Sequence, residues 1–223
     1  MSDFLTNFVS GVFADLAAQS GVVMPSALGA TGKELLDRLL KKRREEARNI
    51  MLDALRRGSI SLNGADLEES VPVLFRFIRA AEEGSARRNL RLLAEVFAGQ
   101  ARHKAIAADE FLYYADILSP LRREEIQFLG SLYRIWMEVS ADLEDVSKVR
   151  VELSKRLKSE LIPELMADDA EFFAIAASAS RTGLVSRFSG WGGEFLQPSP
   201  LLVRLAQMVD LEAAAKQNEK NSL

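Results

Sequence analysis

Large apolar side chains recur at three- and four-residue steps along nearly the whole of this 223-residue chain, and the alternation typical of half-buried strands is nearly absent. Such spacing predicts an all-α protein, a multi-helix bundle of amphipathic segments joined by short linkers, which favour antiparallel neighbours. The first segment places Phe4, Leu5, Phe8, Val9, Val12, Phe13 and Leu16 on one stripe that some other surface must cover. Pro25 and its neighbouring glycines break the pattern, so residues 1–30 read as an N-terminal amphipathic arm. Thr31 with Glu34 has the form of a capping box and opens a long helix that Gly58 closes. The next helix starts at Asp66 or Ser70, with Pro72 in its first turn in the second case, and ends at Gly84. Ser85 then opens a helix through His103, Asp109 caps a short one ending at Leu118, and Ser119-Pro120 reads as another start. A further helix runs from Asp145 to Leu161, completing a helical body over residues 31–163.

Character changes after Pro163. An Ala/Ser-rich helix near 169–180 leads through Gly183 to a glycine-rich stretch at 189–193, which predicts a short β-hairpin. Ser199-Pro200 caps a final helix holding Leu201, Leu202, Leu205, Met208 and Val209. Residues 164–215 are therefore expected to form a helix-hairpin-helix unit, winged-helix-like in order, with a polar tail at 216–223 and fraying from Ala213 onward.

Residue counts exclude several chemistries. There is no cysteine and one histidine, which removes disulfides, thiolate metal sites and any site needing two imidazoles from one chain. Gly29-Ala-Thr-Gly32-Lys33-Glu34 resembles a phosphate loop only in part, because Ala27 and Glu34 stand where a glycine and a hydroxyl residue are required. Acid pairs three residues apart at Glu34/Asp37, Asp66/Glu69, Asp142/Asp145 and Asp168/Glu171 could hold magnesium. Each lies near a helix start, however, where carboxylates cap free N–H groups. His103, between Arg102 and Lys104, has no evident partner for general-base work, and no nucleophile elbow is present. Catalytic, cofactor-binding and metal-binding residues are therefore each expected to be none, and the chain is read as a non-enzyme without a cofactor.

Charge is segregated along the chain. The total is −3, yet residues 31–104 carry sixteen Lys/Arg against eleven Asp/Glu. Lys41, Lys42, Arg43, Arg44 and Arg48, with Arg87, Arg88 and Arg91, make a candidate face for an anionic partner; a solvated helix surface is the plainer alternative. The possible wing is a poor groove reader, because the helix that would enter DNA carries Asp168, Asp169 and Glu171.

The stretch from Phe75 to Gln100, continued by Asp109 to Leu118, resembles a group of uncharacterised bacterial helical proteins. The layout over residues 31–210, with its Gly183-Leu184-Val185 turn, hairpin and Ser199-Pro200 helix start, also resembles the abortive-infection alpha family. That resemblance implies an association with phage defence or prophage biology and supplies no catalytic residues.

The expected function is protein–protein interaction or self-assembly, with protein as the partner, a homo-oligomer first. The stripe from Phe4 to Leu16 is the leading interface. Nucleic acid on the 41–91 face ranks behind it, as does a membrane surface touched by residues 1–20. With no apolar spanning window and no secretory signal, the expected compartment is the cytoplasm.

Overall fold

Carboxylates and serines in the sequence open helices where their side chains reach backbone N–H groups, and these caps fix much of the element order. The computed structural model describes residues 2–19, 30–58, 64–103, 106–190 and 193–216. Among them are ten helices and one two-stranded antiparallel hairpin, as the periodicity predicts. The chain divides into two compact units, Met1–Pro120 and Leu121–Leu223, a division that falls inside the 31–163 segment read as one body.

The first unit holds α1 (Ser2–Gln19), α2 (Ala30–Gly58), α3 (Gly64–Glu83), α4 (Arg87–His103) and α5 (Ala108–Leu118). Helix α2 packs on α3 and α4, α3 also packs on α5, and α1 lies on α2 and α3. Their shared interior is apolar, with Met51, Leu74, Phe77, Leu93, Phe97 and Phe111 each fully buried or nearly so. Phe97 and Phe111 meet edge to face at 6.4 Å, an arrangement that aromatic quadrupoles favour. Burying one such side chain contributes about 1.5–3 kcal/mol, so this cluster is a main source of the unit's stability.

Several helix ends in this unit differ from the local reading. Pro72 lies inside α3 rather than in its first turn, and Ser70, fully buried, donates its hydroxyl to the Asp66 carbonyl. Asp109 sits within the first turn of α5, not at its cap. The α5 start is met from α3 instead, where Glu69 accepts from the Ala108 N–H at 2.9 Å and Asp66 accepts from the Ile106 N–H at 3.3 Å. Ser119-Pro120 closes α5 instead of opening the next helix, since Ser119 donates both its N–H and its hydroxyl to the Ala115 carbonyl. Buried Asn89 then fastens α4 to that closing turn, donating to the carbonyls of Leu118 at 2.7 Å and Ser119 at 3.0 Å. The expected Thr31–Glu34 capping box involves a Thr31 side chain outside the described residues.

The second unit is built around α6 (Arg123–Asp142), against which α7 (Val146–Leu161), α8 (Asp169–Ser180), α9 (Pro200–Met208) and α10 (Leu211–Lys216) pack. Asp145 caps α7, Asp168 caps α8, and Ser199 caps α9 with Pro200 at the first position, as the sequence indicates. The α6 start is met by Glu125, whose side chain accepts from the Arg122 N–H at 2.7 Å. Strands β1 (Val185–Gly190) and β2 (Gly193–Pro198) pair in register from Val185↔Pro198 to Gly190↔Gly193, and β2 lies on α6 and α7. Phe128 and Phe172 stack edge to face at 5.8 Å in the interior. The expected fraying from Ala213 is replaced by order as far as Lys216, because α10 buries Leu211 and Ala214. The rest of the expected polar tail, residues 217–223, lies outside the described residues.

Candidate interaction surfaces

The N-terminal stripe is partly sheltered by its own chain. Val9 is fully buried and Phe13 is 5% exposed where α1 lies on α2 and α3, whereas Phe8 and Val12 are half-buried. Arg48 of α2 donates to the Ser10 hydroxyl at 2.9 Å across the same contact. The side chains of Phe4, Leu5 and Leu16 lie outside the described residues.

The basic residues separate into two kinds. Arg43 donates to the Glu82 carbonyl at 2.8 Å, and Arg44 pairs with the Glu82 carboxylate, so both grip the last turn of α3. Arg87 pairs with Glu46 at 2.7 Å and joins α4 to α2. Charges used in this way hold helices together and are less available to a partner. Lys41 and Lys42, by contrast, are exposed, and Arg88 is half-buried with its Nε shielded and unpartnered. Burial lowers the tendency of Arg91 to hold its proton, and the positive charges of Arg87 and Arg57 act in the same direction. Glu46, paired with Arg87, and Glu95, 3.6 Å from Arg57, already place carboxylates among these cations and act the other way.

Three of the four acid pairs have a member with a structural task. Asp66 and Glu69 hold the α5 start, Asp145 caps α7, and at the α8 start Asp168 accepts from the Glu171 N–H while Glu171 accepts from the Ala167 N–H. Glu34 pairs with Arg38 one turn later. No group of three or more metal-binding side chains occurs among the described residues. The side chain of His103 lies outside them.

One surface was not legible in the sequence. A groove of about 760 Å³ runs along α6 where the α9–α10 connection crosses it, with Tyr133, Met137, Ala206 and Met208 among its lining and Glu138 and Asp210 also at its walls. Gly130 makes the crossing close: a Cβ there would stand 2.7 Å from Glu212 Cγ and 3.1 Å from the Glu212 backbone nitrogen. Arg134 at the end of the groove donates to Glu212 at 2.8 Å and to Glu138 at 3.1 Å, and it also bonds Glu160. Although burial opposes it, hydrogen bonds to Glu160, Glu212 and Glu138 raise the Arg134 guanidinium above its ordinary range. Its charge is thus spent on three carboxylates, and the groove keeps an acidic margin around an apolar floor. The only sequence signal for this surface is Gly130 within a helical pattern, which marks a close backbone approach without naming what approaches.

Large apolar side chains also stand exposed in pairs one helical turn apart: Leu35 and Leu39 on α2, at 66% and 45%, and Val71 and Phe75 on α3, at 45% and 50%. Among the described residues, no helix is long and apolar enough to cross a membrane. No protein-family model, curated protein or solved structure matches this chain.

Proposed function

We propose that this chain is a non-enzymatic helical protein that works by binding protein, its own copies first. The observation that supports this reading is the pairing of exposed apolar side chains at four-residue spacing, Leu35 with Leu39 on turns of α2 that precede its buried part, and Val71 with Phe75 on α3, which buries Leu74, Phe77 and Ile78. Isolated exposed apolar residues are ordinary on a protein surface; paired ones on a single helix face make the anchors of a helix contact. The singled-out acids and many arginines have structural work, as caps and as ties between helices, which favours binding over reaction as the use of the remaining surface.

Light scattering on the full chain during size exclusion tests the proposal. A mass above the 24.7 kDa of one chain that grows with concentration is the expected result. A monomer at every concentration up to roughly 1 mM would remove self-assembly from the reading. The setting we propose is the cytoplasm, where a cysteine-free chain loses nothing to reducing conditions. The resemblance to the abortive-infection alpha family adds phage defence as the pathway. Unchanged phage plating on cells that make the protein would argue against that part.

A further inference from the structure

The leading turns of α2 carry a docking pattern with no core beneath it. No described residue of α2 ahead of Ala47 is buried. Leu35, Arg38, Leu39 and Lys42 stand at i, i+3, i+4 and i+7, and all four are exposed. Helices that bind in grooves present their anchors at this spacing. Two of the four anchors here are leucines and two are cations. Among the described residues, Arg38 is engaged only by Glu34 on its own helix, a solvent-exposed pair that costs little to exchange.

The groove on α6 has the opposite character. Its floor is apolar and adaptable, with Met137 49% exposed and Met208 half-buried. Its margin carries Glu138, Asp210 and Glu212 against Arg134 alone; Arg134 bonds Glu138 and Glu212, and exposed Asp210 accepts from the Ala213 N–H at 2.9 Å, which leaves an acidic excess. At about 760 Å³, it lies within the size range of pockets that take side-chain-sized ligands.

We infer that the groove of one copy receives the leading turns of α2 from a second copy. Leu35 and Leu39 cover Met137 and Met208, while Arg38 and Lys42 meet Glu138 and Asp210. The occupant is a second copy because both members of this matched pair, basic leucine helix and acidic methionine groove, are encoded on every chain. Donor and acceptor surfaces differ, so each copy can give a helix to one contact and take a helix in another. One helix face in one groove is small beside the roughly 1,200–2,000 Å² of a stable interface, so association is weak and concentration-dependent. Its charge component makes it weaker in high salt.

This inference rests on the self-assembly reading, and its test separates the two. The full chain is compared by light scattering with a helix-defective variant, Leu35→Ser with Leu39→Ser, and a groove-defective variant, Met137→Arg. All three substituted side chains are exposed, and circular dichroism verifies that each variant is folded. Each variant alone needs at least about tenfold more protein than wild type to associate. Mixed in equal amounts, the two form a one-to-one pair where each alone is a monomer, because one intact helix and one intact groove remain. If the mixture stays monomeric, the contact is not helix-in-groove between copies. If both variants associate as wild type does, self-assembly stands and this contact is wrong. A monomeric wild type removes both.

Discussion

Replacing Gly130 by alanine sets two effects of known size against each other. Glycine inside a helix costs about 1 kcal/mol relative to alanine, so on propensity alone the change stabilises α6. The new methyl group, however, meets Glu212 Cγ at 2.7 Å and the Glu212 backbone nitrogen at 3.1 Å, with Leu211 Cβ at 3.4 Å. A flexible side chain could swing aside, but Glu212 is held to Arg134 at 2.8 Å, and the backbone nitrogen belongs to α10 itself. Overpacking of this kind costs about 1–3 kcal/mol. We expect a net loss near 1 kcal/mol, expressed as partial displacement of α10. Both tryptophans, Trp136 and Trp191, lie in residues 121–223, so urea unfolding followed by tryptophan fluorescence reports the second unit. Combining Gly130→Ala with Glu212→Ala removes the nearest clash, and the pair should be non-additive by about 1 kcal/mol in the recovering direction. A Gly130→Ala protein about 1 kcal/mol more stable than wild type, with α10 still protected from hydrogen exchange, would refute the argument.

Gly84 has φ +98°, and a Cβ there would stand 3.3 Å from the Arg43 guanidinium, so Gly84→Ala should destabilise the first unit by about 1–2 kcal/mol in chemical unfolding read by circular dichroism. Ser199→Ala removes the hydroxyl that accepts from the Leu202 N–H at 3.3 Å and should cost about 1 kcal/mol in the tryptophan-monitored transition, whereas Ser199→Asp should retain most of it. The Arg187 hydrogen bond, ahead of its charge, holds the Glu194 carboxyl below the ordinary glutamate range. A depressed folded-state value means that this cross-strand pair supports the hairpin above the ordinary range and ceases to do so as pH falls through the lowered value. NMR titration should show that low midpoint, and Arg187→Gln should return it to normal; a normal midpoint in wild type would contradict the pairing.

Local signals were read correctly wherever the partner of a capping side chain lies within a turn of it. Asp145, Asp168 and Ser199 each reach an N–H two or three residues away, so their role is written in the adjacent sequence. The hairpin was legible for the same reason, since glycines bracket its turn and the paired strands adjoin it. Ser119-Pro120 misled because serine before proline fits a helix start, while a serine hydroxyl donating back to a carbonyl four residues earlier serves a helix end equally well. Asp109 misled because it lies inside the helix and accepts from the next residue, Glu110, while the Ala108 N–H is met by Glu69, 39 residues earlier. The basic run at 41–44 reads as one charged face, yet Arg43 and Arg44 turn inward to Glu82, a partner fixed only by how α2 meets α3. The groove was invisible because its walls come from α6 and from the end of α9 and the residues after it, 206–213, whose crossing of α6 no local signal records.

The arrangement at the start of α5 ties the boundary of that helix to the packing of α3. A helix capped by its own neighbouring residues carries its boundary within its own segment. Helix α5 supplies one acceptor itself, Asp109 accepting from the Glu110 N–H at 2.7 Å, but borrows Glu69 for the Ala108 N–H and has Asp66 on the Ile106 N–H just ahead of it. The boundary of α5 is thus shared with a residue 39 positions earlier, and a substitution at Glu69 would be felt where α5 begins.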